Sequence, residues 1–142
     1  MSVLEGKKIL LGVTGSIAAY KSIILLRLLK REGADVQVIF SDSANNFVTQ
    51  LTFSTLSEKK VLTDFFEDDD KVEWVNHVEL AEWADYMIIA PITSSTLSKL
   101  VTGNADNLLV ATYMSTVCDV FFAPAMDPVS YTHLRAHETE YD

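Results

Sequence analysis

Apolar residues in this chain fall into short unbroken runs separated by stretches of helical period. Lys8-Ile9-Leu10-Leu11-Gly12-Val13 is almost continuously apolar, as expected of a strand buried on both faces of a parallel sheet. Asp35–Phe40, Tyr86–Ala90 and Val117–Ala123 repeat that design. After the first run, Ile17, Ile24 and Leu28, with Leu25 and Leu29 beside them, recur at helical spacing. Lys30-Arg31 followed by Gly33 predicts where that helix stops. A second helix is predicted from about Ser43, with Ala44, Phe47 and Val48 on one side. Leu51, Phe53 and Leu56, then Val61-Leu62, predict a short helix and a weak strand. His77–Asp85 predicts another short helix, packing through Val78, Ala81 and Trp83. Leu97, Leu100 and Val101 mark the apolar side of the next, and Leu108, Leu109, Ala111 and Met114 that of the last. Strands alternating with helices predict an α/β fold, a flavodoxin-like (Rossmann-like) doubly wound parallel sheet in three αβα layers. It should have at least four strands, Ile9–Val13 at its centre and helices on both faces.

In such sheets ligands collect beyond the carboxyl ends of the strands. The first of those ends reads Thr14-Gly15-Ser16-Ile17, two hydroxyls around a residue without a Cβ, directly before a helix. Gly15 lets backbone approach a ligand closely, and the first helical amides lack intrahelical partners. A helix start of this kind attracts phosphate, although any strand–helix turn also suits a glycine and a serine cap. The second strand ends at Ser41-Asp42, which the crossover should bring near Gly15. Asp42 is either a helix cap or loop acid, or a ribose ligand. The glycines are spaced G-x-x-G, without the G-x-G-x-x-G of a pyrophosphate site. A mononucleotide phosphate needs one helix terminus and a few hydroxyls, here Thr14, Ser16 and Ser41, so FMN fits this pattern better than NAD. The third strand ends in Pro91-Ile92-Thr93-Ser94-Ser95-Thr96, where capping accounts for one hydroxyl and not for four.

Composition narrows the class. The chain has 142 residues, nearly half of them apolar, which fits one globular domain. Its net charge of −9 argues against nonspecific binding to nucleic acid or to an anionic membrane. No apolar run is long enough to span a bilayer, and the polar start lacks a signal-peptide core. A single cysteine, Cys118, excludes an intramolecular disulfide framework and reads as a small buried hydrophobe, so a reducing cytoplasm is the expected compartment. Glu67-Asp68-Asp69-Asp70 reads as a solvated surface loop. His77, at a helix start on the ligand side, is either structural or a base, imidazole being the side chain that exchanges protons near neutrality.

Four stretches, taken in order, resemble the flavin-dependent cysteine decarboxylase family. They are Gly12-Val13-Thr14-Gly15-Ser16-Ile17-Ala18-Ala19-Tyr20-Lys21, His77-Val78-Glu79-Leu80 with Trp83-Ala84-Asp85, Pro91 to Thr96, and Pro124-Ala125-Met126. The likeness covers residues 6–127 and is strongest to the phosphopantothenoylcysteine decarboxylases of bacterial coenzyme A synthesis. The glycine loop is shared with flavin prenyltransferases; the histidine stretch points to the decarboxylases. The resemblance implies a cytoplasmic lyase that converts 4'-phospho-N-pantothenoylcysteine to 4'-phosphopantetheine. FMN would take a hydride from the cysteinyl side chain to give a thioaldehyde, CO₂ would leave, and the enethiol would be reduced back. By the same resemblance His77 is the active-site base, and Gly15, Ser16, Ile17, Ser41, Thr93 and Thr96 contact FMN. Ser95, Met126 and Asp127 fall at substrate positions. A homotrimer or higher assembly is implied, with chemistry between subunits, and in the native gene a possible fused phosphopantothenate–cysteine ligase domain.

Three departures stand out. Ser95 replaces a family asparagine that helps hold the substrate carboxylate, and offers one hydroxyl in place of an amide. Asp127 replaces a second asparagine and would repel a carboxylate. Beyond Asp127 the pattern stops, so the flavoprotein domain is assigned to 1–127 as a C-terminally truncated unit. Residues 128–142 are read as a non-native tail, because Val129 to Thr139 resembles a translated sequencing adapter. His133, His137 and Glu138 are rejected as a metal site for the same reason, and no metal is expected. The alternative function is an FMN-binding module, or a prenyltransferase-like protein, without cysteine decarboxylase turnover.

Overall fold

The structure, a computed structural model, describes residues 2–63 and 76–125. Among the described residues four strands form one parallel sheet: β1 (Lys8–Val13), β2 (Asp35–Phe40), β3 (Tyr86–Ile92) and β4 (Asp119–Pro124), in the order β2-β1-β3-β4. The register runs Ile9↔Val36 to Val13↔Phe40 on one side of β1 and Ile9↔Tyr86 to Gly12↔Ile89 on the other. The first strand is therefore interior, as its apolar run requires. This is the expected flavodoxin-like arrangement.

Side-chain alternation along the sheet divides the core in two. Ile9, Leu11, Val13, Val36, Val38 and Phe40 point to one face, where α1 (Lys21–Arg31) and α2 (Gln50–Ser57) cover them through Leu26, Leu29 and Phe53. Leu10, Ile39, Met87 and Ile89 point to the other face. There they meet α3 (His77–Trp83), α4 (Ser94–Thr102) and α5 (Leu108–Ser115). Gly12 faces α5: a Cβ there would lie 2.6 Å from Leu109 Cδ1, so the missing side chain lets that helix sit down on β1.

At the amino end of the sheet Asp85, from the histidine-containing stretch, is structural. Its carboxylate accepts from the Lys8 N–H at 2.8 Å and its own N–H donates to the Lys8 carbonyl at 2.7 Å, closing the start of the β1–β3 ladder. Lys59 pairs with Asp35 at 2.9 Å and lies 4.5 Å from the Trp83 ring centroid, tying the end of α3 to β2.

Several elements differ from the sequence expectation. The helix predicted from Ser43 is a 3-10 turn, Asp42–Asn46; Ala44 and Val48 are buried but Phe47 is exposed. The Asn45 side chain donates to the Asp42 carbonyl, competing with continuation, and α2 starts afresh behind the Thr49 cap. β3 does not end at Ala90 but passes through a cis Ala90–Pro91 bond to Ile92. Proline is accommodated because the β3–β4 register shifts between Ile89 and Ile92, relieving it of a ladder donor. The last strand begins at Asp119 and not at Val117.

The largest difference concerns helix faces. In α1 the buried positions are Ser22, Leu26 and Leu29, whereas Ile24 is 57% exposed and Leu28 is also exposed; Ile17 just upstream is 80% exposed. On α4, Leu100 is buried but Val101 is 80% exposed and Leu97 is exposed. Val78 on α3 and Met114 on α5 are likewise exposed. β4 lies at the sheet edge, with Phe121 54% exposed. The acidic stretch 67–70 and the stretch beyond residue 125 lie outside the described residues.

Candidate functional site

Three loops meet beyond the carboxyl ends of β1, β2 and β3. The first leaves β1 through Thr14 and Gly15 into a 3-10 turn, Ile17–Tyr20, which leads into α1. Ser16 is the extended residue capping that turn: its Oγ accepts from the Ala18 N–H at 3.0 Å. The second loop follows β2, where the Ser41 N–H donates to the Val13 carbonyl at 2.9 Å and the Ser41 and Ser43 hydroxyls lie 3.2 Å apart. The loops touch at Gly15. A Cβ placed there would lie 2.6 Å from Ser43 Cβ and 2.8 Å from the Ser43 carbonyl carbon. Gly15 thus closes the cradle between the first two strand ends.

The third loop follows β3. Thr93 caps α4, its Oγ1 accepting from the Thr96 N–H at 3.3 Å and donating to Thr96 Oγ1 at 3.2 Å. Thr96 is almost fully buried, and Ser95 is exposed on the first turn of α4. Gly15, Ser16, Ser41, Thr93 and Thr96 are therefore brought to one end of the sheet, as the sequence predicts. Ile17 is there too, with its side chain turned outward. Asp42 is the exposed first residue of its 3-10 turn, following Ser41, and is not the cap itself.

Thr14 departs from expectation. It is fully buried, its Oγ1 donating to the Pro91 carbonyl at 2.7 Å and accepting from the Thr93 N–H at 3.0 Å. Both capacities of the hydroxyl are spent inside the protein, so Thr14 is not a phosphate ligand. The Ser22 hydroxyl donates to the neighbouring Ala90 carbonyl. Sequence reading missed both roles; an apolar run ending in a threonine gives no local sign that its partner lies on another loop.

A cavity of about 290 Å³ opens beside the first loop, lined by Ala18, Lys21, Ser22, Leu25, Pro91 and Pro124 among others. It lies on the α1 side of the sheet, and Lys21 is the charged group in its lining. This cavity was not legible beforehand, since it needs α1, the end of β3 and the end of β4 together.

His77 begins α3 as expected, behind the Asn76 cap, whose Oδ1 accepts from Val78 and Glu79. It is partly exposed. However, α3 packs against α5 on the face opposite α1, and His77 is not part of the cavity lining. Within one chain the histidine and that cavity thus lie on different sides of the sheet. Met126 and Asp127 lie outside the described residues.

The residues present fit a phosphate-bearing flavin at the loop cluster. A backbone cradle that a Cβ would fill, a capped helix start and hydroxyls from three strand ends converge there. Known proteins agree with that fit. The chain is 40% identical over 131 residues to the coenzyme A biosynthesis bifunctional protein CoaBC of Bacillus subtilis (strain 168), covering 92% of this chain and 32% of that protein. It thus spans about a third of the length of such relatives. Among solved structures, the FMN-dependent cysteine decarboxylase SpaF superposes with a TM-score of 0.81 at 26% identity, covering 92% of this chain and 74% of that one. A PPC decarboxylase mutant complexed with pantothenoylaminoethenethiol superposes with a TM-score of 0.73 at 28% identity, covering 94% and 75%. The Flavoprotein family profile matches residues 2–139. A match over nearly the whole length establishes that the chain belongs to the Flavoprotein family.

Proposed function

We propose that this chain is the FMN-binding decarboxylase part of a coenzyme A biosynthesis enzyme, turning 4'-phospho-N-pantothenoylcysteine into 4'-phosphopantetheine. The observation that carries the reading is the convergence of the Gly15, Ser41 and Thr93 loops on one end of the sheet, in a chain 40% identical to CoaBC over 131 residues. Gly15, Ser16, Ile17 and Ser41 would hold the FMN phosphate side, with Thr93 and Thr96 toward the flavin. Bound FMN supplies the oxidising equivalent for the cysteinyl side chain.

In this reading His77 accepts the proton released as the substrate is oxidised, and Ser95 donates one hydrogen bond to the substrate carboxylate. Met126 and Asp127 are assigned to the substrate as well. The Lys21 ammonium in the cavity suits a phosphorylated substrate. Because His77 and the cavity lie on opposite faces, the reading includes a homotrimer or higher assembly in which one subunit's histidine serves its neighbour's flavin loops. The outward apolar residues Ile17, Ile24, Leu28, Leu97 and Val101 support such contacts. The relatives are named bifunctional, and their second function is assigned to a ligase outside the matched portion. No helix among the described residues is long and apolar enough to cross a membrane, in keeping with the proposed cytoplasmic setting.

Two measurements on the full chain test this. Titration with FMN should quench flavin fluorescence and give a yellow complex, whereas NAD should not bind. Added phosphopantothenoylcysteine should release CO₂ and yield phosphopantetheine by mass spectrometry. FMN binding without CO₂ release would favour the flavin module without turnover, the choice that Ser95 and the split site make worth separating. Failure to bind FMN would remove both readings.

A further inference from the structure

We propose that Thr14 is a positioning residue that locks the Gly15 loop to the Thr93–Thr96 turn and so presets the flavin-binding surface. The proposal rests on the FMN reading above. The β1–β3 ladder ends at Gly12↔Ile89, and β3 continues to Ile92 paired with β4. Just where backbone pairing between β1 and β3 stops, Thr14 takes over. Its N–H and its hydroxyl both donate to the Pro91 carbonyl, at 3.3 and 2.7 Å, and its Oγ1 accepts from the Thr93 N–H at 3.0 Å. One residue therefore supplies three hydrogen bonds between segments 77 to 79 positions apart in sequence.

Placement gives these bonds their consequence. Thr14 is followed directly by Gly15 and Ser16, and Thr93 is itself the cap of α4. The Ser22 hydroxyl on Ala90 extends the same attachment into α1. Thr14 is fully buried, so no water replaces a lost partner cheaply. Valine would fill the same space but leave the Thr93 N–H without its acceptor. The loops would then sample arrangements in which one side of the flavin surface is displaced. Apparent affinity falls in proportion to the fraction still competent.

The test uses the 142-residue chain and FMN fluorescence quenching at a temperature well below melting. Thr14→Val should weaken FMN binding about ten- to a hundredfold, and Thr14→Ser, which keeps the hydroxyl, should stay within about threefold of the wild type. Thr112→Val is the matched control: it deletes another fully buried hydroxyl, one that donates to the Leu108 carbonyl within α5. It should lower the melting temperature and leave FMN affinity alone. Unchanged affinity in Thr14→Val, or an equal loss in Thr112→Val, would overturn the proposal. Should Thr14→Val not fold, the Thr93 amide decides by hydrogen exchange in the wild-type chain. Slow exchange before FMN is added supports the lock, and exchange as fast as an exposed amide overturns it. A wild-type chain that binds no FMN while Thr93 stays protected would sink the flavin reading and leave the lock standing.

Discussion

Adding one methyl group at Gly15 tests the site geometry most directly. The new Cβ would stand 2.6 Å from Ser43 Cβ and 2.8 Å from the Ser43 carbonyl carbon. To reach ordinary contact the two loops must separate by about 0.8 Å. Rotating the Ser43 side chain moves its hydroxyl, the nearest atom, but leaves its Cβ and its backbone carbon in the way. The cost is therefore that of overpacking, about 1–3 kcal/mol. Part should appear as a lower melting temperature and part as lost FMN affinity, since the proposed function gives the phosphate side to the Gly15 and Ser41–Ser43 loops together. Gly15→Ala is expected to weaken FMN binding at least tenfold in a fluorescence titration, equivalent to about 1.4 kcal/mol. Adding Ser43→Gly removes the nearer obstruction and should restore part of that loss, whereas Ser43→Gly alone should do little. Wild-type FMN affinity in Gly15→Ala would show that the two loops do not form the phosphate cradle.

Three further outcomes follow from the proposed function. His77→Asn should keep FMN and melt near the wild type, since the cap of α3 is Asn76 and stays in place, yet lose roughly two to four orders of magnitude in turnover; retained decarboxylation would remove the base assignment. Ile24→Glu on the outer side of α1 should leave the melting temperature nearly unchanged but lower the assembly mass in analytical ultracentrifugation, and an unchanged mass would take that face out of the interface. Ser95→Asn should lower the KM for phosphopantothenoylcysteine severalfold at similar kcat by restoring an amide beside the carboxylate; an unchanged KM would separate Ser95 from substrate recognition.

What could be read in advance divides along a physical line. β1 was legible because burial on both faces makes nearly every position apolar, and β2, at the sheet edge, because its short run is bounded by Gly33 and Ser41; both have the predicted bounds. Helix termini were legible for a similar reason: Ser16 and Thr93 are caps whose partners lie within three residues. Helix faces were not. α1 is apolar on nearly all sides, and spacing cannot tell Leu26 and Leu29, against the sheet, from Ile24 and Leu28, which face outward. The end of β3 was hidden because the register shift that admits Pro91 belongs to its pairing with β4, outside the local sequence. Loop chemistry was half legible. Hydroxyls at strand ends announced a site, but only the fold shows that Thr14 is used inward.

That difference between Thr14 and its neighbours follows from how a hydroxyl divides its bonding. A cap uses the oxygen as acceptor for a backbone amide and leaves the O–H as a donor. Phosphate oxygens only accept, so a capping serine at a helix start is suited to binding phosphate because it is a cap. Ser16 is in this state: its Oγ takes the Ala18 N–H, and its proton can point away from the turn. Thr93 spends its oxygen on the Thr96 amide and its proton on Thr96 Oγ1, so the donor at the end of that pair is the Thr96 hydroxyl. Thr14 uses donor and acceptor within the protein and has neither to offer a ligand. Capping and ligand binding are thus not rival explanations of a hydroxyl-rich strand end. The capping Ser16 keeps its donor, the capping Thr93 hands that part to Thr96, and Thr14, which fastens the loops together, has none left.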